Sequence, residues 1–257
     1  MSTLLASHLD DIVCENSTGT EFQIWCENLG KVILKQPKLP KVSLVVTHVQ
    51  SEFSGAELVS KEISEIVSKF DSLNMNTAYL IFPGFDLSKI DISTWLVSPE
   101  ISNYTAYLSS AGESPLVSEK SILVLGGYWA NCHSGAIQNI LFKARFDNIQ
   151  KVNVIGSSTY ARDKNFDSTP ETLSDRIKRK GVGYVFQELV NSFDESTASD
   201  KLEISMHKIL LFWNGKEILS YGYGPSIGHV YVWDTPDLFF KSGFNGFKKL
   251  GESSVAD

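Results

Sequence analysis

The middle of the chain alternates short apolar runs with amphipathic stretches. Between the first two runs, apolar residues recur at helical spacing from residue 56 to residue 70. Alternation of this kind predicts an α/β fold with a mainly parallel sheet and helices on both faces. The runs, rich in β-branched residues and typical of strands buried on both faces, are 42–49, 77–82, 121–125 and 151–155.

Weaker patterns predict further elements around these strands. A helix is predicted over 134–146. Another is expected to end near residue 179 and to begin at Ser168 or Thr169, with Pro170 in its first turn. Its basic end, 176–180, is interpreted as a complement to the helix dipole. Short helices are expected at 90–95, 104–110 and 187–193, and a short strand at 182–186.

Both ends of the chain have a β pattern. Residues 21–35 predict a hairpin, and a proline-containing linker follows at 36–40. Near the other end, Asn214-Gly215 separates two strand-like runs and predicts a type I′ hairpin, with a third strand at 229–233. The predicted organisation is an N-terminal hairpin extension (1–41), an α/β domain (42–200) and a C-terminal β-rich appendage (201–257). The two terminal β segments are candidates to pair into a small extra sheet.

Composition narrows the function classes. The 257 residues carry a formal net charge of −7, which argues against general nucleic-acid or anionic-membrane binding. No apolar stretch is long enough for a transmembrane helix, and the acidic N-terminus does not resemble a secretory signal. Three widely spaced cysteines form no disulfide framework or metal ribbon. We expect a cytoplasmic protein that binds a small molecule.

Cys132 is the main candidate for chemistry. It follows a predicted buried strand and the pair Gly126-Gly127, and it directly precedes a predicted helix. The positive end of a helix dipole and its unpaired N–H groups favour a thiolate and can hold an oxyanion. The alternative is a small buried apolar residue, which is what most free cysteines are.

His48, near the carboxyl end of the first predicted strand, is the candidate partner of Cys132. A parallel sheet would bring it towards the loop that carries the cysteine, and a Cys–His pair is a known activated nucleophile. The alternative is a hydrogen-bonded core histidine. His229 with Asp234 offers a weaker, papain-like option. No Cys/His cluster or phosphate loop is present, so neither a metal nor a cofactor is predicted.

Two segments resemble the isochorismatase-like cysteine hydrolases. Residues 44–70 are similar to the start of that family, and Val49-Gln50-Ser51-Glu52-Phe53 matches its hydrophobic-Gln-x-x-Phe motif. Residues 122–144 are similar to its nucleophile segment, an apolar strand, a glycine, five residues and then Cys132. The order of the later elements also agrees, so the resemblance covers about 42–193.

The resemblance implies a three-layer sandwich, usually in an oligomer, and an Asp–Lys–Cys triad that attacks an amide or related bond. It also implies a non-proline cis peptide near 128–130 that shapes the oxyanion hole. Here His48 stands at the aspartate position, and 98–103 contains no lysine. The expected site residues are Cys132 and His48 in catalysis, the backbone of Trp129, Ala130 and Asn131 at the oxyanion, and Gln50, Phe53 and Tyr128 around the substrate.

Two hypotheses follow from these departures. In the first, the chain is a small-molecule hydrolase of C–N or ester bonds in which His48 replaces the aspartate as the base for Cys132. In the second, it is a pseudoenzyme that serves as a binding or scaffold module, with the terminal β segments as an association surface. Likeness of fold does not choose between them.

Overall fold

The computed structural model describes residues 42–73, 75–81, 96–97, 104–108, 121–138, 140–141, 151–163, 168–194 and 207–243. The predicted N-terminal hairpin, the linker after it, the short helix at 90–95 and the segment 98–103 lie outside these residues. The boundaries of the predicted domains stay predictions.

The first half of the described chain is built around strands, with a helix after the first strand and another after the fourth. The strands are β1 (Val42–Thr47), β2 (Asn76–Ile81), β3 (Tyr104–Leu108), β4 (Ser121–Gly126), β5 (Lys151–Ile155), β6 (Tyr160–Ala161), β7 (Glu171–Thr172), β8 (His207–Trp213), β9 (Lys216–Tyr221) and β10 (Ser226–Trp233). The helices are α1 (Ala56–Ser72), α2 (Ser134–Gln138), α3 (Leu173–Lys180), α4 (Val182–Asp194) and the short α5 (Pro236–Leu238).

Eight of the described strands form one sheet in the order β3-β2-β1-β4-β5-β10-β8-β9. Every neighbouring pair is parallel except β8 and β9, which form an antiparallel hairpin. One face packs against α2, α3 and α4, and the other packs against α1. The predicted parallel α/β sheet with helices on both faces is therefore confirmed.

The C-terminal strands extend this sheet. β10 pairs in parallel with β5, from His229 opposite Lys151 to Trp233 opposite Ile155, and β8 pairs with the other edge of β10. The predicted Asn-Gly turn joins β8 to β9, with φ values of 49° at Asn214 and 84° at Gly215. These are the positive angles that a type I′ turn requires.

Helix α1 shows how periodicity fixes a buried face. Six apolar side chains at helical spacing, from Ala56 to Phe70, are buried against the sheet. Leu58, another apolar residue of this stretch, is 53% exposed. The helix turns it outward because it lies one position before Val59, which belongs to the buried stripe.

Three assignments of secondary structure were wrong. Residues 104–108 form strand β3 at the sheet edge instead of a helix, because they pair with β2. Residues 182–186 begin helix α4 instead of forming a strand. In this helix the buried side chains recur at helical spacing, at Val185, Phe186, Leu189, Val190 and Phe193.

The third error concerns the start of helix α3. The helix begins at Leu173, and Thr172 is its N-cap. The Thr172 hydroxyl accepts a hydrogen bond from the Asp175 N–H at 3.1 Å. Glu171 and Thr172 are held in strand β7, where they pair with Tyr160 and Ala161, so the helix cannot begin at Ser168 or Thr169.

Candidate active site

The carboxyl ends of β1, β4 and β5 meet at one edge of the sheet. Strands β1 and β4 are direct neighbours, and Thr47 lies opposite Gly126 in their register. The segments that follow these two strands carry His48 and Cys132. The adjacency predicted for the two strand ends is therefore present, while the catalytic pairing of the two side chains stays a prediction.

His48 lies in an unusual backbone conformation. Its φ angle is 45°, a left-handed region that few non-glycine residues adopt. The residue is fully buried, its N–H donates to the Leu80 carbonyl at 2.9 Å, and its ring stacks on Phe53 with centroids 5.4 Å apart. The surrounding contacts therefore hold the imidazole at one orientation.

Cys132 lies in a π-helical turn, Trp129–His133, between β4 and α2. The two glycines before this turn have φ angles of 71° and 67°. Within the turn, Asn131 has φ −142° and ψ −106°, well away from helical values. The thiol is partly accessible, which a nucleophile requires.

Burial raises the pKa of the Cys132 thiol above its ordinary value. The backbone N–H groups of Tyr128 and Cys132 itself face the sulfur and act in the opposite direction, but their effect is smaller. A helix N-terminus is expected to lower the pKa of the thiol and favour the thiolate. Desolvation outweighs that effect here, so the thiol is protonated at neutral pH.

Tyr160 is a residue of this site that the sequence did not indicate. Its hydroxyl donates to the His48 carbonyl at 2.7 Å. Burial raises the pKa of Tyr160 well above its ordinary value, and the nearby Cys132 and Tyr128 raise it further. The only local signal was its place after β5, where the sheet collects functional side chains. Through its hydrogen bond, Tyr160 therefore connects the His48 backbone with the residues around the Cys132 thiol.

Of the backbone groups expected at the oxyanion, the N–H of Asn131 is already hydrogen-bonded, whereas Trp129 is held by a bond from its side chain. Trp129 is buried, and its indole N–H donates to the Val185 carbonyl at 2.8 Å. The Asn131 N–H donates to the Tyr128 carbonyl at 3.0 Å. No peptide bond among the described residues is cis, so the cis peptide implied near Ala130 is absent. An oxyanion role for the N–H of Asn131 requires its present bond to open.

The residues expected around the substrate form an aromatic wall. Phe53 contacts Tyr128 edge to face with centroids 6.3 Å apart, and Tyr128 meets Tyr160 at 4.6 Å. Gln50 is buried, and its amide donates to Glu52 at 3.1 Å. Phe53 and Tyr128 thus lie together beside the thiol segment, and their substrate contacts stay a prediction.

The papain-like option is ruled out by position. His229 lies opposite Lys151, at the amino end of β5, whereas Cys132 follows the carboxyl end of β4. Four residues of strand, about 13 Å, separate His229 from the carboxyl edge.

Among the described residues, no group of three or more His, Cys, Asp or Glu side chains is arranged to hold a metal ion. In the part of the chain that the structure describes, no helix is long and apolar enough to cross a membrane.

His133 is a buried neutral histidine next to the thiol. Its Nδ1 lies 2.6 Å from the Gly126 carbonyl oxygen, and its Nε2 has no partner among the described residues. Burial lowers the pKa of His133 from 6.5 to about 4, although the Gly126 carbonyl opposes the shift. His133 therefore acts as a neutral anchor for the turn that carries Cys132.

This lowered pKa predicts an acid-sensitive fold. The unfolded chain protonates His133 below about pH 6.5, whereas the folded chain resists protonation down to about pH 4. The free energy of unfolding is expected to fall by about 3 kcal/mol over this range. Urea unfolding at intervals from pH 7 to pH 4 measures it. His133→Asn should flatten the profile, and an unchanged slope in that variant would contradict the assignment.

Comparisons with known proteins were made for the whole chain. No protein-family model matches it, and no curated protein is detectably similar. Among solved structures, it is similar to the MAR1 ribonuclease of Caenorhabditis elegans, with 12% identity and a TM-score of 0.40, over 65% of this chain and 82% of that one. It is also similar to an isochorismatase of Pseudomonas putida, with 9% identity and a TM-score of 0.38, over 59% of this chain and 89% of that one. The second carries the family name that the sequence resemblance gave.

Proposed function

We propose that this chain is a cysteine-dependent hydrolase of small molecules with a C–N or ester bond, and that Cys132 is its nucleophile. The observation that carries the proposal is the strained, left-handed backbone of a buried histidine at the end of a strand whose neighbour leads to a partly accessible thiol. His48 has φ 45°, and Thr47 before it lies opposite Gly126, at the end of the strand that precedes Cys132. Such conformations persist where the surroundings enforce them, and they cluster at functional sites.

The resting state has a neutral thiol, because burial raises the pKa of Cys132. The proton therefore leaves during the attack. A ring nitrogen of His48 takes the Sγ proton while Sγ bonds to the substrate carbonyl carbon, and the carbonyl oxygen becomes the oxyanion. The leaving group departs with that proton. Water then hydrolyses the thioester and restores the thiol.

Turnover of a substrate panel tests the proposal. p-Nitrophenyl esters and p-nitroanilides of short carboxylic acids are the probes. Cys132→Ser should abolish turnover, and His48→Ala should lower kcat by about 10²- to 10⁴-fold, the usual contribution of a general base. His229→Ala removes a histidine at the opposite end of the strands and serves as the matched control. Turnover that survives Cys132→Ser would refute the proposal.

Alkylation of the thiol gives a second readout that needs no substrate. Because the pKa of Cys132 is raised, iodoacetamide should modify it more slowly at pH 7 than it modifies the same cysteine in the urea-unfolded chain. The rate should rise with pH through a midpoint above that of the unfolded thiol. Peptide mass spectrometry measures this. A midpoint below that of the unfolded thiol would contradict the neutral resting state.

A second candidate is a binding module without catalysis. The observation that favours it is the same neutral, partly buried thiol, together with an imidazole packed flat against Phe53. This candidate predicts that small molecules bind beside the aromatic wall while none of the probes is turned over. Cys132-dependent turnover of any one of them would exclude it.

A further inference from the structure

Tyr160 joins the two segments that carry His48 and Cys132. Its side chain reaches the first segment, where the hydroxyl donates to the His48 carbonyl at 2.7 Å. Its backbone reaches the second segment, because Tyr160 forms a parallel bridge with Tyr128, the residue directly before the π-helical turn of Cys132. One residue therefore fixes the candidate base and the segment of the candidate nucleophile relative to each other.

The His48 backbone has a particular need for such a bond. At φ 45° it lies in a left-handed region that residues with a Cβ disfavour, so its surroundings must enforce it. The His48 N–H donates to the Leu80 carbonyl at 2.9 Å, and the His48 carbonyl accepts from Tyr160. Because the backbone angles set the direction of the side chain, these two bonds orient the imidazole as well.

Tyr160 is itself held firmly in place. Its side chain is fully buried, and its ring packs edge to face on Tyr128 with centroids 4.6 Å apart. The ring also lies so close to Gly55 that an added Cβ there would be 2.5 Å from Tyr160 Cδ2. Pairing with Thr172 fixes the backbone of Tyr160. A side chain locked by packing in this way can hold a neighbouring group at one geometry.

We propose that Tyr160 is a positioning residue of this active site, and that its hydroxyl holds His48 in the orientation from which the ring accepts the Cys132 proton. The inference rests on the proposed function. Tyr160 acts through the His48 backbone and takes no proton in the reaction. Burial raises the pKa of Tyr160 well above its ordinary value, so the hydroxyl keeps its proton and continues to donate at neutral pH.

Tyr160→Phe removes the hydroxyl and keeps the ring, so it tests the bond itself. On a p-nitrophenyl ester or p-nitroanilide that the wild type turns over, kcat should fall about 10- to 100-fold, because a catalytic group displaced by about 1 Å loses up to that much, and KM should change less than about twofold. Wild-type kcat in this variant overturns the inference.

Ser174→Ala is the matched control. Ser174 is also buried, and its hydroxyl donates to the Asp234 carbonyl at 2.8 Å, so the variant loses a bond of the same kind outside the proposed site. Its kcat should stay within about twofold of the wild type. An equal fall of kcat in Ser174→Ala and Tyr160→Phe would show a general effect on the fold and would overturn the inference.

The His48 ring gives a readout that needs no substrate. Because this ring stacks on Phe53 with centroids 5.4 Å apart, the shifts of its ring protons depend on its orientation. Carbon–proton correlation NMR of the full chain measures these signals, which are assigned by their loss in His48→Ala. They should move in Tyr160→Phe, while the signals of His229, at the opposite end of the strands, stay in place. Unmoved His48 signals overturn the inference.

Gly55→Ala displaces the tyrosine without removing its hydroxyl, and it remains informative if Tyr160→Phe does not fold. Gly55 has an ordinary φ of −95°, so alanine adds no backbone strain, and its Cβ must push the Tyr160 ring aside. The His48 signals should move here as well, and unmoved signals in a folded variant overturn the inference.

The two proposals fail in different ways. If the His48 signals move in Tyr160→Phe but the wild type turns over no probe, the proposed function is refuted alone. If turnover depends on Cys132 and His48 but is unchanged in Tyr160→Phe, this inference is refuted alone.

Discussion

Replacing Arg176 with methionine is expected to lower the free energy of unfolding by about 3–5 kcal/mol, the usual cost of removing one partner from a buried ion pair. The Arg176 side chain is 3% exposed and forms hydrogen bonds with three carboxylates, those of Asp163, Glu171 and Glu188. Methionine would fill the space but would leave Glu188 without its main cation and Glu171 with Arg179 alone; both carboxylates are 19% exposed. Asp163 is 43% exposed, so solvent screens its interaction with Arg176 and this ion pair contributes less to stability.

Urea unfolding at pH 7 measures this loss, with Lys178→Met as the matched control. Lys178 lies on the same helix but is 65% exposed, and its loss should change stability by less than about 0.5 kcal/mol. A loss below about 1 kcal/mol for Arg176→Met would show that the ion cluster is not needed for folding.

The same cluster predicts a dependence on acid. Hydrogen bonds from Lys180 and Arg176 lower the pKa of Asp163. Burial tends to raise the pKa of Glu171, but the hydrogen bonds from Arg179 and Arg176 outweigh it and leave that pKa lowered. Groups of this kind stabilise the fold above their unfolded pKa of about 4, and the contribution is lost as the pH falls through the folded value. The gap between wild type and Arg176→Met should therefore narrow below about pH 4.

Replacing Gly126 with alanine is expected to cost about 2–5 kcal/mol and to displace the turn that carries Cys132. At φ 71° an added Cβ brings strain of about 1–2 kcal/mol. The Cβ would also lie 2.5 Å from the Thr47 carbonyl oxygen and 2.6 Å from a Val49 methyl group. The Thr47 carbonyl cannot withdraw easily, because Thr47 is paired within the sheet. Overpacking of this kind costs about 1–3 kcal/mol more.

Comparison with Gly181→Ala separates the cost of the close contacts at Gly126 from the cost of the backbone strain. Gly181 has φ 86°, but a Cβ there would meet nothing within 4 Å, so only the backbone strain should appear. Urea unfolding of both variants gives the difference in stability, and the alkylation rate of Cys132 reports on its turn. Equal losses in the two variants would contradict the role assigned to the close approach of β1 and β4.

Local patterns predicted much of this fold. The apolar runs at β1, β2, β4 and β5, the buried stripe of α1 and the Asn-Gly hairpin are each set by residues close together in the chain. Predictions failed where pairing with residues distant in sequence determines the secondary structure. Pairing with β2 makes residues 104–108 a strand, and the pairing of Glu171 and Thr172 with β6 delays the start of α3.

The candidate site divides in the same way. The sequence by itself determined that a cysteine follows a buried strand and a glycine pair, and that a histidine stands at the end of another strand. Tertiary structure alone decided that these strands are neighbours, that Tyr160 joins the site and that Arg176, in a basic run assigned to the helix end, is buried among carboxylates. It also decided that the Cys132 thiol is protonated, because burial raises its pKa. Desolvation and long-range hydrogen bonds set these properties, and both depend on segments that meet only in the folded chain.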